Sequence, residues 1–325
     1  MHTTKRRRFI PCEILTITLK PAVDYATSTE RVTAGPKLYC RAPRIDPGGG
    51  GVNVARTIVK LGGSVRAFVV VGGPMGDRLL DLLAEESVPV AEYRVSGETS
   101  YSLAVTDQET EEQFRFTLPG VRMNEREGRV LLEQVSRMAP ANGLVVLSGG
   151  AAVGLPDHFP QEVQDVVQRC NGRLIVDTSK AALLRLIETP RAPLDVLRLD
   201  RSEIEKAVSK PMRSIEDNLR FTEELVRRGV AKTIVTGHGA EGSVMVAGSK
   251  KFFCHAPKVP VRSKVGAGDA LVGAFTLSLS RDDPPEQALR WGVAAAAATV
   301  GTDGTALCDL VETEALIPHC RLESF

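Results

Sequence analysis

The feature that most constrains how this chain folds is a repeated alternation of short, β-branched apolar runs with longer segments of helical periodicity. Parallel strands need a crossover of a dozen or more residues between them, which a helix usually supplies. The alternation therefore predicts an α/β fold, with a mostly parallel sheet covered by helices on both faces. The predicted core strands are Ile14–Leu19, Val65–Val71, Leu144–Ser148, Leu174–Asp177, Val196–Leu199 and Thr233–Thr236. The predicted helices are Val52–Leu61, Asp77–Glu86, Pro156–Arg169, Ser214–Arg228, Ala267–Ser280 and Pro285–Thr299.

Three other segments alternate with the period of a strand but do not follow this rhythm: Lys37–Pro43, Tyr101–Thr106 and Gln113–Leu118. The last two are separated by the polar turn Asp107–Glu112, which is typical of a hairpin. These segments predict a small β-sheet standing off the main domain. A sheet of a few strands has an uncovered face, so we expect it to close over a ligand or to pair with a second subunit.

The length, composition and net charge of the chain limit the kinds of partner that it can bind. The 325 residues suit two average domains or one large α/β domain with an appendage, and 43% hydrophobic and 25% charged residues are ordinary for a soluble globular protein. Lys plus Arg number 41 against 40 Asp plus Glu, so no overall field attracts nucleic acid or an anionic membrane. No apolar run is long enough to span a membrane, and the run Ile14–Leu19 is too short for a signal peptide. We therefore expect no nucleic-acid or membrane partner.

The cysteines predict a reducing compartment. They are scattered, without a Cys-x-x-Cys pair and without histidines at metal-ligand spacing. Free thiols and a cytoplasmic location are therefore expected. The six positions are Cys12, Cys40, Cys170, Cys254, Cys308 and Cys320.

The first motif that carries chemistry is Gly266-Ala267-Gly268-Asp269, between a strand-like segment and a long apolar helix. Glycines at a helix N-terminus leave backbone N–H groups free to face a phosphate oxygen, and the helix dipole favours developing negative charge. A carboxylate at the same end can accept a proton from a substrate hydroxyl. The alternative is an ordinary glycine-rich turn with Asp269 as a capping residue.

The second motif runs from Asp46 to Arg56 and contains four consecutive glycines followed by Asn53. Consecutive glycines cost backbone entropy, so a benefit is expected from the close approach of the backbone to a small polar ligand. The Asn53 side chain offers both a donor and an acceptor to sugar hydroxyls. A flexible hinge is the alternative interpretation.

The third motif, Thr233 to Gly242, contains a literal Gly-x-Gly-x-x-Gly after a strand. A dinucleotide-binding fingerprint should open a helix, whereas Ser243-Val244-Met245-Val246 continues as a strand. The segment is therefore predicted to be a turn between strands that can touch a nucleotide. The P-loop pattern and the protein-kinase catalytic loop are absent from the sequence.

The two glycine motifs in this order, with Asp24 near the first strand, resemble the PfkB family of carbohydrate kinases over nearly the whole chain. The resemblance is strongest to the phosphofructokinase branch, through Thr18 to Asp24, Gly48 to Arg56, Phe114-Arg115-Phe116, and Gly304 to Cys308. It implies a single domain over residues 1–325 with a ribokinase-like three-layer α/β/α sandwich. It also implies a small β-sheet lid formed by about residues 34–45 and 99–119, through which two subunits form a homodimer.

The resemblance further implies ATP and Mg²⁺ and a role for each motif. Asp269 would be the catalytic base, with Gly266, Ala267 and Gly268 as the anion hole. The sugar would be held by Asp24, Lys37, Gly49, Gly50 and Asn53; ATP by Thr236, Gly239, Gly242 and Lys264; and the metal by Glu203.

Several residues depart from the family pattern. Ser100 and Tyr39 stand where the phosphofructokinase branch has arginines that grip the substrate phosphate, which weakens bidentate phosphate recognition. Lys37, Arg41 or Arg115 could serve instead. The usual Lys-Pro-Asn before the metal segment reads Arg198-Leu199-Asp200.

The expected activity is transfer of the ATP γ-phosphoryl group to a hydroxyl of a sugar or sugar phosphate, with fructose 6-phosphate as the nearest acceptor by resemblance. Another free sugar, a nucleoside or another ketose phosphate such as tagatose 6-phosphate is an alternative acceptor. A protein that binds sugar or nucleotide without turnover is the alternative from a different functional class.

Overall fold

The computed structural model describes residues 13–208 and 211–325. Cys12 lies outside these residues; Cys40, Cys170, Cys254, Cys308 and Cys320 are free thiols, as predicted. Among the described helices, none is long and apolar enough to cross a membrane.

The described residues form two sheets and two layers of helices. The strands are β1 (Ile14–Thr18), β2 (Ala22–Thr29), β3 (Arg44–Gly48), β4 (Arg66–Val71), β5 (Val90–Arg94), β6 (Ser100–Asp107), β7 (Gln113–Thr117), β8 (Leu144–Ser148), β9 (Arg173–Asp177), β10 (Leu194–Leu199), β11 (Ala231–Gly237), β12 (Gly242–Ala247), β13 (Lys250–His255) and β14 (Leu322–Ser324). The helices are α1 (Gly50–Lys60), α2 (Gly73–Glu85), α3 (Glu125–Met138), α4 (Phe159–Arg169), α5 (Lys180–Glu188), α6 (Arg201–Val208), α7 (Ile215–Arg227), α8 (Ala267–Ser280), α9 (Pro285–Val300) and α10 (Leu310–Leu316). Short 3₁₀ turns occupy Gly239–Glu241 and Ile317–His319.

The large sheet has ten strands in the order β14-β13-β12-β11-β10-β9-β8-β1-β4-β5. The pairs from β5 to β11 are parallel, and β12, β13 and β14 are added antiparallel at one edge. All six predicted core strands belong to it, so the prediction of a mostly parallel sheet is confirmed. The glycine loop after β11 is a turn between antiparallel strands, as predicted.

Both faces of the large sheet are covered, because apolar side chains of its strands alternate between two cores. In β4, Ala67, Val69 and Val71 join one apolar cluster, whereas Phe68 and Val70 join the other. Helices α1, α8 and α9 pack in the first cluster, and α4, α5 and α7 contribute to the second. The result is the predicted three-layer α/β/α arrangement.

The second sheet has four strands in the order β3-β2-β6-β7 and is called here the lid sheet. The predicted strand Lys37–Pro43 is wrong: these residues form an exposed connection, and the strand begins at Arg44. Alternation alone does not make a strand without a pairing partner, and this connection meets β2 only through isolated bonds such as Arg41 N to Ser28 O at 2.9 Å. The central strand β2 was missed, because its Asp, Ser and Thr residues obscure the apolar period.

Candidate active site

A cavity of about 320 Å³ opens at the carboxyl edge of the large sheet, beyond β8, β9 and β10. Strand β1 lies between β8 and β4, so the chain winds in opposite directions on its two sides, and ligands bind at such switch points of open α/β sheets. The lining residues are Gly49, Gly50, Asn53, Ser148, Gly149, Gly150, Asp177, Thr178, Ser179, Arg198, Glu203 and Asp269. Five of the site residues predicted from sequence therefore meet here: Gly49, Gly50, Asn53, Glu203 and Asp269.

Asp269 lies in the first turn of α8, which begins at Ala267 after the N-cap Gly266. Gly266 has a φ of 78°, and a Cβ there would lie 2.7 Å from Leu307 Cδ2, so the position requires glycine. The helix behind it is almost entirely buried, which fixes its amino end. The N–H groups of a first turn have no partner within the helix and coincide with the positive end of its dipole. This end of α8 can therefore hold an anion beside a carboxylate.

Asn53 and Asp269 are brought together from the two glycine motifs. Asn53 Nδ2 donates a hydrogen bond to Asp269 Oδ2 at 2.9 Å. Burial and the neighbouring carboxylate of Asp177 raise the pKa of Asp269 to about 7, although the bond from Asn53 and the charge of Arg198 act in the opposite direction. A carboxylate with a pKa near neutrality is suited to accept a proton from a hydroxyl at physiological pH.

Arg198 and Asp177 were not predicted as site residues. The side chain of Arg198 is 14% exposed, and its guanidinium lies 3.4 Å from Asp177 Oδ1 and 3.7 Å from Asp200 Oδ2. A Cβ at Gly268 would lie within 2.9 Å of the same guanidinium, so the second glycine of the motif makes room for this cation. A detectable signal was present, because each of these charged residues stands at or near the carboxyl end of an apolar strand.

The run Gly48 to Gly51 has a structural reason that the sequence did not reveal. A Cβ at Gly50 would lie 2.6 Å from Gly149 N, and one at Gly51 would lie 2.6 Å from Ile17 O. The turn into α1 therefore packs directly against the backbone at the ends of β1 and β8. The hinge interpretation is not needed, since Gly51 and Asn53 are buried within an ordered helix.

Asp24 lies on β2 at the base of the lid sheet, with its carboxylate against Gly48. Its register partners are Asp46 and Ser102, so all three side chains lie on one polar face of the sheet. Ser102 donates its hydroxyl to Asp24 Oδ1. Burial raises the pKa of Asp24 despite this bond. The negative charge of Asp24 also makes a small contribution to the raised pKa of Asp269.

The residues assigned to ATP from sequence have different surroundings. Thr236 is fully buried, and its hydroxyl donates to Asn218 Oδ1 at 2.7 Å and lies 3.1 Å from the Thr222 hydroxyl, so the side chain ties β11 to α7. A Cβ at Gly242 would meet the carbonyl of Cys254, so this glycine serves strand pairing. Gly239 has a φ of 65° in a short turn, and a Cβ added there would meet no atom within 4 Å.

The two lysines that the sequence analysis assigned to ligand binding lie on the surface. Lys37 belongs to the exposed connection before β3, and Lys264 precedes the Gly266-to-Asp269 motif on an exposed loop. Within the described part of the chain, neither belongs to the set that lines the cavity. Their assignment to sugar and ATP stays a prediction.

Glu203 provides a carboxylate suited to a divalent metal. It lies in the first turn of α6, accepts a hydrogen bond from the backbone N–H of Asp200 at 3.1 Å, and burial raises its pKa. Residues 13–208 and 211–325 contain no group of three or more His, Cys, Asp or Glu side chains placed to hold a metal ion. Mg²⁺ commonly binds through one or two carboxylates together with substrate phosphates, and Glu203 fits that mode.

Comparisons with known proteins show what the whole chain is similar to in sequence and fold. The ATP-dependent 6-phosphofructokinase isozyme 2 of Escherichia coli K12 is 36% identical over 306 residues, which cover 94% of this chain and 98% of that protein. The crystal structure of phosphofructokinase-2 from Escherichia coli in complex with fructose-6-phosphate has a TM-score of 0.86 at 34% identity, covering 95% of this chain and 99% of that one. The tetrameric inhibited form of the same enzyme has a TM-score of 0.87 at 34% identity, with the same coverage.

A family model also matches most of the chain. The model described as pfkB family carbohydrate kinase covers residues 16–312, and therefore includes both glycine motifs, the lid sheet and every cavity-lining residue. The chain thus belongs to the pfkB family of carbohydrate kinases.

Proposed function

We propose that this carbohydrate kinase transfers the γ-phosphoryl group of ATP to the primary hydroxyl of fructose 6-phosphate, with Asp269 as the catalytic base. One observation carries the proposal: a carboxyl group with its pKa raised to about 7 lies in the first turn of a helix whose amino end can hold an anion. Phosphoryl transfer needs these two groups side by side, one for the acceptor proton and one for the charge on the transferred group.

The residues of the site divide the steps between them. Asp269 accepts the proton of the acceptor hydroxyl as its oxygen bonds to the γ-phosphorus, and ADP leaves on the opposite side. The backbone N–H groups at Gly266, Ala267 and Gly268 stabilise the negative charge of the transferred group. Arg198, packed against Gly268, adds a fixed positive charge next to the same position. Asn53 holds the carboxylate of Asp269 in place.

We also propose positions for the nucleotide and the metal. ATP is proposed to lie along the loop after β11, with Thr236 and Gly242 shaping the loop and Gly239 and Lys264 facing the nucleotide. Glu203 would help to hold Mg²⁺ through water and the ATP phosphates. When bound, the metal would neutralise negative charge on the phosphate oxygens.

The acceptor is proposed to lie between the lid sheet and the cavity, with its hydroxyls bound by Asp24, Gly49, Gly50 and Asn53. Ser100 cannot bind the phosphate of the acceptor as an arginine would, because the Ser100 hydroxyl donates to Leu118 O at 2.6 Å within the lid sheet. Lys37 and Arg115 are the proposed replacements. Arg115 lies on the same face of the lid sheet as Asp24 and lowers the pKa of that carboxyl.

A coupled ATP-consumption assay over free sugars, nucleosides and sugar phosphates tests this assignment. We expect the highest kcat/KM with fructose 6-phosphate, and we expect Lys37→Met and Arg115→Met each to raise its KM by roughly ten-fold or more, the loss of one charged contact. Lys250→Met is the control, because Lys250 is exposed and its ion-pair partner is Glu286, on α9.

Other outcomes of the panel are equally informative. A preference for tagatose 6-phosphate, a free sugar or a nucleoside would replace the proposed acceptor but keep the kinase mechanism. Absence of ATP consumption with every acceptor would contradict the mechanism and favour a protein that binds its ligands without turnover.

We also propose that the whole chain is one kinase domain whose lid sheet closes over the acceptor and pairs two subunits into a homodimer. The lid face opposite Asp24 carries Tyr101, Leu103 and Phe116, of which Tyr101 is 36% and Phe116 53% exposed, whereas Tyr25 on the same face packs against the main core. Large exposed apolar patches commonly mark protein interfaces. The free thiols favour a cytoplasmic location, which fractionation of cells would test.

Sedimentation equilibrium tests the subunit arrangement. We expect the mass of a dimer for the wild type and of a monomer for Phe116→Glu, because the new charge would be buried without a partner. Phe325→Glu, at the exposed end of the chain, is the control. A wild-type monomer, or a dimer unaffected by Phe116→Glu, would contradict an interface on this face.

A further inference from the structure

Arg56 is a fully buried cation with no part in the mechanism above; 1% of its side chain is exposed. Its Nε and Nη2 donate to the two carboxylate oxygens of Glu86 at 2.8 and 2.6 Å, and Nη2 also lies 3.7 Å from Asp46 Oδ1. Its Nη1 donates to Pro47 O at 2.9 Å and to Asn53 Oδ1 at 3.1 Å. A guanidinium has five N–H donors in a rigid plane, and Arg56 makes four hydrogen bonds with them, while Asp46 is a longer ion-pair contact.

The bond to Asn53 decides which way the amide of that side chain faces. A guanidinium can only donate, so the amide oxygen of Asn53 must face Arg56. The amide nitrogen then faces Asp269, to which it donates at 2.9 Å. A reversed amide would place its N–H groups against the guanidinium and its oxygen against a carboxylate, and both contacts would be repulsive.

We propose that Arg56 is a positioning residue for the catalytic base: anchored by Glu86 and Pro47, it locks the Asn53 amide in the one orientation that donates to Asp269. This inference rests on the proposed function of Asp269. Arg56 and Asn53 lie three residues apart on α1, so they share one face of that helix, and the anchor is transmitted without passing through a flexible loop.

A purely structural role for Arg56 predicts something different. In that case its removal would lower stability and the amount of folded protein, but the protonation of Asp269 would not change. In a positioning role, removal frees the Asn53 amide to turn, and Asp269 loses a hydrogen bond that favours its ionised form. The pKa of Asp269 would then rise, and the pH dependence of catalysis would move with it.

The test compares the wild type with Arg56→Met and Arg56→Lys by the pH profile of kcat/KM from about pH 5.5 to about pH 9. For the wild type we expect kcat/KM to fall below about pH 7, because the base must be ionised. For Arg56→Met we expect the acid limb to move to higher pH by about 0.5–1 unit, the size of one lost hydrogen bond. Ionisation of the substrates is common to all profiles and cancels in the comparison.

Further variants test whether the effect of Arg56 is a general effect of losing a nearby positive charge or acts through Asn53. Arg44→Met also removes an arginine bound to Asp46, at 2.7 Å, but Arg44 does not donate to Asn53; its acid limb should coincide with that of the wild type. Asn53→Ala should shift the limb as Arg56→Met does, and the double variant should shift it no further, because both changes remove the same bond. Additive shifts would contradict action through Asn53.

The pKa of Asp269 can also be measured without any catalytic turnover. Carboxyl ¹³C NMR gives the pKa of Asp269 directly, with its resonance assigned by its loss in Asp269→Asn. If Arg56→Met does not fold, Arg56→Lys keeps the buried charge while losing the geometry that serves both Glu86 and Asn53, and a shift in the same direction is expected. An unchanged pKa of Asp269 in a folded Arg56 variant would overturn the proposal, whereas an inactive wild type would count only against the kinase assignment.

Discussion

Replacing Asp269 with asparagine is expected to lower kcat by about 10²–10⁴-fold, the usual contribution of a general base, while the Kd values of ATP and acceptor stay within a few-fold. Asparagine has nearly the same shape and keeps an oxygen that can accept the bond from Asn53. What it loses is the capacity to accept the proton of the hydroxyl. Steady-state kinetics combined with calorimetric titration of both ligands separates the two effects.

The same variant should be more stable than the wild type at neutral and higher pH. In the folded protein the pKa of Asp269 is raised from 3.8 to about 7, so the stability associated with this group is fully present below about pH 4 and is lost as pH rises to about 7. Asp269→Asn does not ionise and therefore keeps this stability. Its free energy of unfolding above pH 7 should exceed that of the wild type by at most about 4 kcal/mol. Urea unfolding at a series of pH values measures the difference. A variant that is inactive and also less stable at every pH would point to misfolding instead of a missing base.

Replacing Arg198 with methionine is expected to lower the free energy of unfolding by about 3–5 kcal/mol near neutral pH, because it leaves the Asp177 carboxylate buried without its cation. Only 14% of the Arg198 side chain and 12% of the Asp177 side chain are exposed, so water cannot replace the lost contact easily. Catalysis should weaken too, since Arg198 lowers the pKa of Asp269 and lies against Gly268.

The loss caused by Arg198→Met should depend on pH in a definite direction. Burial raises the pKa of Asp177 and Arg198 opposes that rise, so the variant should have a still higher value. A group whose folded pKa is raised loses its stability as pH rises, so the gap between variant and wild type should widen from acid to alkaline pH.

Lys232→Met is the matched control on the neighbouring strand. Lys232 pairs with Asp195 of β10 at 2.8 Å, but 66% of its side chain is exposed, and such surface pairs contribute less than about 1 kcal/mol. If Arg198→Met costs no more than this control, or its cost does not vary with pH, Arg198 and Asp177 do not form the buried pair described here.

Much of the fold was predictable because its signals are local. Helix α8 and strand β8 have the predicted ends, Ala267–Ser280 and Leu144–Ser148, since apolar periodicity and flanking glycines lie within the segments themselves. The predicted strand Lys37–Pro43 was wrong because pairing is not a local signal. A strand needs a partner, and both edges of β2 are already paired, one with β3 and the other with β6.

Two glycine motifs and one carboxylate were also enough to predict which residues meet at the centre of the candidate site. Glycines that precede a helix limit where a backbone can approach an anion, so Asp269 and Asn53 could be placed at helix starts before their contact was known. Thr236 shows the limit of this reasoning, because whether its hydroxyl meets a ligand or Asn218 depends on how α7 packs against β11.

The sequence by itself determined the α/β class, the helix starts that carry Asp269 and Asn53, and the family of the chain. Only the tertiary structure decided that Arg198 neutralises Asp177 against Gly268, and that Arg56 orients the Asn53 amide. The physical reason is the same in both cases. A buried charge is stabilised by whichever groups the packing of separate segments brings beside it. For Arg198 these come from the neighbouring strand β9, and for Arg56 they come from β3, α1 and the residue after α2.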